Sequence, residues 1–141
     1  MPNFIVKTHQ KNTSYTGEKI FILNKGLNSG KPQKEPFTNS FIIIFANKED
    51  AETVYWLAYS LWKANFWRQS LYGSVIPFLR IDDFRKDFSS KVTEMLHDFE
   101  QHKKEVIALR LLEQQENHFN KNINLIKEMR NIILNRYCKK I

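Results

Sequence analysis

All the glycines and prolines of this 141-residue chain lie before Phe78, and the segment from Phe78 to Ile141 contains neither. Because no residue there stops a helix by backbone geometry, the pattern predicts long helices. Two apolar stripes with spacings of three and four residues follow, from Phe84 to Leu109 and from Phe119 to Tyr137. The stripes differ in phase and asparagines lie near their junction, which predicts a turn at 116–121 and a helical hairpin over 81–141. A single helix over 82–140 is the alternative.

The first half of the chain has the pattern of β-strands. Runs of β-branched and aromatic residues at Phe4–Lys7 and Lys19–Leu23 predict two strands. Phe41–Phe45 is apolar throughout, which is typical of a central strand covered on both faces. Ser74–Leu79 predicts a further extended strand, placed at a sheet edge or bulge because it contains Pro77.

A helix is predicted between the third strand and Gly73. Asn47 is the expected N-cap, and apolar residues then recur at spacings of three and four over about 18 residues, ending near Phe66. The predicted fold class is therefore α+β: a small N-terminal antiparallel or mixed sheet of about four strands, packed on an aromatic-rich helix and followed by the helical hairpin. The length favours a single domain over 1–141, with a β-rich part at 1–80.

The net charge of +7 is unevenly distributed along the chain. Residues 1–48 contain seven lysines and two glutamates, which gives +5, and residues 121–141 contain six basic residues and one glutamate, which again gives +5. Residues 49–120 contain nine basic and twelve acidic residues, which gives −3. Two basic ends favour a surface for a polyanion, and a solvated basic face that confers solubility is the alternative.

The sequence also indicates the compartment. Cys138 is the only cysteine, the first ten residues lack the apolar run of a signal peptide, and the longest apolar stretch is far shorter than the roughly 20 residues that span a bilayer. We therefore expect a cytoplasmic protein without a membrane partner.

The segments that resemble catalytic or metal-binding motifs lack the spacing that such motifs need. Gly26–Lys31 resembles a phosphate-binding loop, but it has three residues instead of four between its glycines, and Pro32 follows the lysine where Ser or Thr is needed. His97 and His102 are five residues apart and would point to different faces of a helix. We therefore expect no catalytic residue, no metal site and no cofactor. The glycine-rich turn either contacts phosphates through its amides and lysines or is simply a lysine-rich turn.

The predicted first helix contains more aromatic residues than one core stripe needs. Most of these rings are expected in the core, and the surplus rings could stack on bases or form a protein interface. The cations expected to bind nucleic acid or a partner lie beside these rings, in the lysine-rich loop and near the C-terminus. They are Lys25, Lys31, Lys34, Lys63, Arg68, Lys127, Arg130, Arg136, Lys139 and Lys140.

Four segments of the chain carry a resemblance to a known group of proteins. These segments are FIVKTHQ from Phe4, LNKGLNSGKP from Leu23, YWL from Tyr55 with LWK from Leu61, and GSVIPFLRIDDF from Gly73. They resemble an uncharacterised family of small Bacteroidota proteins that are often found near mobile elements, over roughly residues 1–90. Such small basic proteins include inhibitors of CRISPR effectors. The resemblance therefore implies an anti-CRISPR protein that acts on an RNA-targeting type VI-B effector, and it brings no functional residues with it.

The expected function is non-enzymatic binding of nucleic acid, with RNA favoured, or of a CRISPR effector ribonucleoprotein. Two alternatives remain open. One is a protein interaction module that self-associates as a homodimer through its C-terminal helices, and the other is a nuclease or another enzyme that acts on nucleic acid.

Overall fold

The computed structural model describes residues 3–139. It divides into two compact units, an N-terminal unit that ends at Asp98 and a C-terminal unit that begins at Phe99. The N-terminal unit contains the sheet and two helices, and the C-terminal unit consists of one long helix and the residues that follow it.

The N-terminal sheet has four antiparallel strands in the order β1-β4-β2-β3. The strands are β1 (Phe4–Thr8), β2 (Glu18–Leu23), β3 (Pro32–Gln33) and β4 (Ser40–Phe45). The predicted central strand is confirmed, because β4 pairs with both β1 and β2.

Both faces of β4 are covered, which explains its continuous apolar run. Ile43 lies opposite Val6 of β1 and Ile20 of β2, and all three side chains belong to the main core cluster. On the other face, Ile42 pairs with Phe21, and both are buried. A strand with one face in solvent would alternate apolar and polar residues, which β4 does not do.

Helix α1 (Lys48–Lys63) begins where the sequence predicts. The Oδ1 atom of Asn47 accepts a hydrogen bond from the backbone N–H of Asp50 at 2.8 Å, which satisfies one of the free donors at the helix start. A 3₁₀ turn (Phe66–Ser70) follows α1, and α2 (Ile81–His97) completes the N-terminal unit.

We expect Asn47→Ala to lower the free energy of unfolding by about 1 kcal/mol, because the Asp50 amide loses its acceptor. Urea unfolding measures this loss. Asn47→Ser is the matched control, since its hydroxyl keeps an acceptor and should restore most of the stability. Equal losses in the two variants would contradict a capping role.

The structure corrects the predicted fourth strand. Ser74–Leu79 forms only isolated bridges among the described residues, from Phe78 to Lys25 and to Tyr72. Pro77 has no N–H to extend a ladder, and Gly73 turns the chain at a φ of 93°. The sheet has β3 as its remaining strand instead, and the two residues of β3 are too few to show a periodic pattern.

The structure also corrects the helix boundaries. Helix α2 begins at Ile81, so Asp82 and Asp83 lie inside its first turn and do not cap it. The predicted turn at 116–121 is wrong, because α3 (Phe99–Cys138) runs through it without a break. The chain leaves helical geometry at Asp98 instead. Each asparagine disfavours a helix by less than about 1 kcal/mol, and a helix that contains neither Gly nor Pro can absorb that cost.

Among residues 3–139, no helix is both long and apolar enough to cross a membrane. The α+β class, the N-terminal antiparallel sheet and its aromatic-rich helix are as predicted.

Candidate nucleic-acid interface

Four aromatic side chains follow one another along α1. Tyr55, Trp56, Tyr59 and Trp62 form a series of edge-to-face contacts with ring centroids 5.7, 5.3 and 5.9 Å apart. We call these four residues the aromatic ridge. Trp56 is buried and the other three are half-buried, so part of the ridge remains open to solvent. The core side of α1 is provided mainly by smaller residues such as Val54 and Ala58.

Three of the predicted cations lie on the aromatic ridge. The Nζ atoms of Lys31 and Lys63 are each 5.0 Å from the centroid of the Trp62 ring. The Nζ atom of Lys34 is 5.3 Å from the centroid of Tyr55. These distances are within the range of a favourable cation–π contact. We call the three lysines and the ridge together the basic-aromatic patch.

The short strand β3 places Lys31 and Lys34 beside α1. The two lysines flank Pro32–Gln33, which pairs with Ile22 and Phe21 of β2. The carbonyl of Lys31 accepts a hydrogen bond of 3.0 Å from the N–H of Leu23, and β3 contacts α1. The edge of the sheet therefore positions the loop lysines against the ridge.

A glycine and a tryptophan fix the loop that leads into β3. Gly30 has a φ of 96°, and a Cβ atom built on it would lie 2.0 Å from Cδ1 of Trp67. Trp67 belongs to the core, where its ring lies 5.0 Å from Phe84. The backbone before Lys31 thus rests directly on a core side chain, which only glycine permits.

Four of the six backbone N–H groups of Gly26–Lys31 already donate hydrogen bonds within the protein. The N–H groups of Gly26, Ser29, Gly30 and Lys31 donate to the carbonyls of Pro77, Gly26, Leu23 and Asn28, respectively, over 2.7–3.2 Å. A phosphate held by these amides would have to break those bonds. The lysine side chains of this loop are therefore better placed for a phosphate contact than these four amides.

The other predicted cations lie outside the basic-aromatic patch. Lys25 and Arg68 are exposed in the N-terminal unit. Neither takes part in the ring contacts that define the patch. Four of the cations are exposed in the second half of the C-terminal unit, and Lys140 lies outside the described residues. These four are Lys127, Arg130, Arg136 and Lys139.

Sequence reasoning missed two further cation–π pairs in the N-terminal unit. Arg80 lies 5.0 Å from the ring of Tyr72, and Lys91 lies 5.3 Å from the ring of Phe66. Lys91 and Phe66 are 25 residues apart in sequence, so no local pattern connects them. Such pairs depend on tertiary packing.

A surface cavity of about 600 Å³ was also not predicted. His9, Tyr15, Phe21 and Phe37 supply its aromatic walls, together with polar residues of the two adjoining loops. The Nδ1 atom of His9 is buried and has no hydrogen-bond partner among the described residues. The ring centroid of Phe21 lies 5.1 Å from that of His9, but Phe21 belongs to β2, which β4 separates from β1, so no local sequence pattern connects the two residues.

No group of three His, Cys, Asp or Glu residues in the part of the chain that the structure describes could hold a metal ion. No curated protein and no solved structure matches the chain. A family model does match, and it covers residues 6–136. The chain therefore belongs to DUF6943, a family of unknown function.

Proposed function

We propose that the protein is a non-enzymatic binder of single-stranded nucleic acid, with RNA as the favoured ligand, and that the basic-aromatic patch is its contact surface. The observation that carries the proposal is the placement of Lys31, Lys34 and Lys63 within 5.3 Å of the ring centroids of Tyr55 and Trp62. Single-stranded nucleic acids are commonly bound by cations that track the backbone and by aromatic rings that stack on bases.

The patch combines the two contacts that a nucleotide needs. A phosphate would draw an ammonium group away from its ring, and the ring face would then be available to a base. Stacking on an aromatic side chain contributes about 1–3 kcal/mol per base. The proposed contact therefore replaces each cation–π pair by an ion pair and a stacked base.

This arrangement favours a single strand over a duplex, because paired bases do not expose their faces to side chains. It also predicts weak sequence preference, since every base has an aromatic face. The choice of RNA rests on the resemblance to small Bacteroidota proteins, so binding should be compared between single-stranded RNA, single-stranded DNA and double-stranded RNA.

We expect Lys31→Glu combined with Lys34→Glu to weaken binding of single-stranded RNA at least about tenfold at moderate salt. If three lysines contact phosphates, the logarithm of the binding constant of the natural sequence should fall with the logarithm of salt concentration with a slope of about −2. The double variant should show a clearly shallower slope, because two of the three contacts are reversed. Fluorescence anisotropy with a labelled oligonucleotide measures both quantities.

The matched control is Lys48→Glu combined with Lys86→Glu, which changes the net charge equally at two exposed positions outside the patch. The control should lose much less affinity than the patch variant. Equal losses would mean that net charge alone drives binding. The absence of RNA binding at low salt by the natural sequence, with the fold intact, would overturn the proposal.

A narrower form of the proposal is that the nucleic acid belongs to a ribonucleoprotein, such as a type VI-B CRISPR effector with its guide. It rests on the resemblance and on the ability of a rigid surface to inhibit without catalysis. An RNA-cleavage assay with the purified effector tests it. Inhibition that Lys31→Glu with Lys34→Glu relieves would support this form, and full effector activity at saturating protein would contradict it.

A further inference from the structure

The helix α3 has an apolar surface that its own unit leaves uncovered. It contains 40 residues and is about 60 Å long. Within Phe99–Cys138, all of which the structure describes, no residue is buried, and twelve large apolar side chains are 48–83% exposed. Helices in proteins owe most of their stability to packing of an apolar face, so a helix of this kind requires a covering surface.

The seam of α3 is a row of residues with alternating spacings of four and three. It runs from Glu105 through Leu109, Leu112 and Glu116 to Phe119, and continues through Ile123, Ile126, Arg130 and Ile133 to Tyr137. This is the spacing of the seam that joins two helices in a coiled coil. Seven of its ten residues are apolar, and the charged ones are Glu105, Glu116 and Arg130.

We propose that the seam pairs with the seam of a second copy of this chain and that the two α3 helices run antiparallel. The distribution of charge supports this orientation. Residues 99–118 contain three Lys or Arg and four Glu, which gives −1, whereas residues 119–138 contain four Lys or Arg and one Glu, which gives +3. An antiparallel pair places the basic half of each helix along the acidic half of the other, and a parallel pair would place the two basic halves together.

The charged seam residues select one register. When Arg130 lies opposite Glu105 of the second copy, Ile123 lies opposite Leu112 of that copy and Ile126 lies opposite its Leu109. By symmetry each of these pairs occurs twice. The one cation of the seam then faces an anion, four apolar pairs lie between the two ion pairs, and at the centre Phe119 of each copy lies opposite Glu116 of the other. This alignment overlaps the helices along nearly their full length.

The contact is large enough for a dimer. A seam about 60 Å long and about 10 Å wide on each helix would bury about 1,200 Å² in total, which is at the lower end of specific protein interfaces. The dimer would carry two basic-aromatic patches, one in each copy. Its test uses no nucleic acid, so it can fail or succeed independently of the proposed function.

The test exchanges charges across the proposed contact. Arg130→Glu alone and Glu105→Arg alone should each weaken dimerisation at least about tenfold, because each places like charges opposite one another twice. The double variant restores opposite charges and should return the dimer dissociation constant to within about threefold of the natural value. Sedimentation equilibrium of the full chain, with a reductant that keeps Cys138 as a thiol, measures these constants.

The control exchange is Lys121→Glu with Glu128→Lys, on the helix face opposite the seam. These variants should leave dimerisation nearly unchanged, singly and together. Rescue in the Arg130 and Glu105 double variant identifies the antiparallel register, since these residues are 25 positions apart and cannot meet within one helix. A monomer at all concentrations, or a dimer that the single exchanges weaken without rescue, would overturn the proposal.

Discussion

Gly30→Ala is expected to lower the free energy of unfolding by about 2–5 kcal/mol. The alanine Cβ atom would lie 2.0 Å from Cδ1 of Trp67 and 2.7 Å from Nε1 of the same ring. The φ of 96° at this position adds strain of about 1–2 kcal/mol for any residue with a Cβ atom. Overpacking a fixed core ring adds about 1–3 kcal/mol. Denaturant unfolding followed by the fluorescence of the three tryptophans, Trp67 among them, would measure the loss.

Gly26→Ala is the matched control for this prediction. Gly26 has a similar φ of 87°, but a Cβ atom there would meet no atom within 4 Å. It should lose only the backbone contribution, about 1–2 kcal/mol. The difference between the two variants therefore isolates the contact with Trp67. Equal losses at both positions would show that the tight approach of Gly30 to the ring contributes nothing.

Gly30→Ala also connects stability to the proposed function. Gly30 immediately precedes Lys31, so a backbone displaced from Trp67 would also displace the ammonium group that lies 5.0 Å from the centre of the Trp62 ring. The affinity for RNA should fall in Gly30→Ala even under conditions where most of the protein is folded.

The parts of the fold that sequence predicts are those with strong local signals. The apolar run Phe41–Phe45 indicates a strand buried on two sides, and Asn47 before an apolar periodic stretch indicates a helix start. Both signals depend on neighbours within a few residues. The strand β3 escapes such reasoning because its two residues are ordered by pairing with Phe21 and Ile22, not by their own pattern.

The same distinction applies to the candidate interface. The surplus rings of α1 and the adjacent Lys63 are visible as a local cluster in the sequence. The contacts of Lys31 with Trp62 and of Lys34 with Tyr55 join residues that are 31 and 21 positions apart, and they exist because β3 lies beside α1. The continuity of α3 through 116–121 escapes sequence reasoning for a different reason: the helix propensity of asparagine is only weakly unfavourable, and the absence of Gly and Pro has the larger effect.

Phe84→Ala should have a still larger effect on stability, because Phe84 is the centre of the aromatic core. Its side chain is fully buried, and its ring centroid lies 5.0 Å from Phe88, 5.0 Å from Trp67 and 5.3 Å from Phe41. Truncating a buried Phe costs about 3–5 kcal/mol, and each lost aromatic pair adds up to about 1.5 kcal/mol. Because small domains are stable by only about 5–15 kcal/mol, this variant should be near the limit of folding.

The control is Phe37→Ala, which removes the same atoms from a side chain that is 47% exposed. It should lose much less stability than Phe84→Ala, and Phe84→Leu should recover part of the loss by refilling the cavity. Thermal and denaturant unfolding of the three variants test this order. A loss in Phe84→Ala no larger than that in Phe37→Ala would contradict the central position of Phe84.

Combining a truncation of Phe84 with Gly30→Ala tests whether the core supports the candidate interface. Trp67 contacts Phe84 on one side and the backbone of Gly30 on another. The space left by Phe84 would let the Trp67 ring move away from an added methyl group, so the combined loss should be smaller than the sum of the separate losses by at least about 0.5 kcal/mol. Because Phe84→Ala leaves little stability, the double-mutant cycle should use Phe84→Leu, Gly30→Ala and the two together. Strict additivity would mean that the loop before Lys31 is not held by the aromatic core.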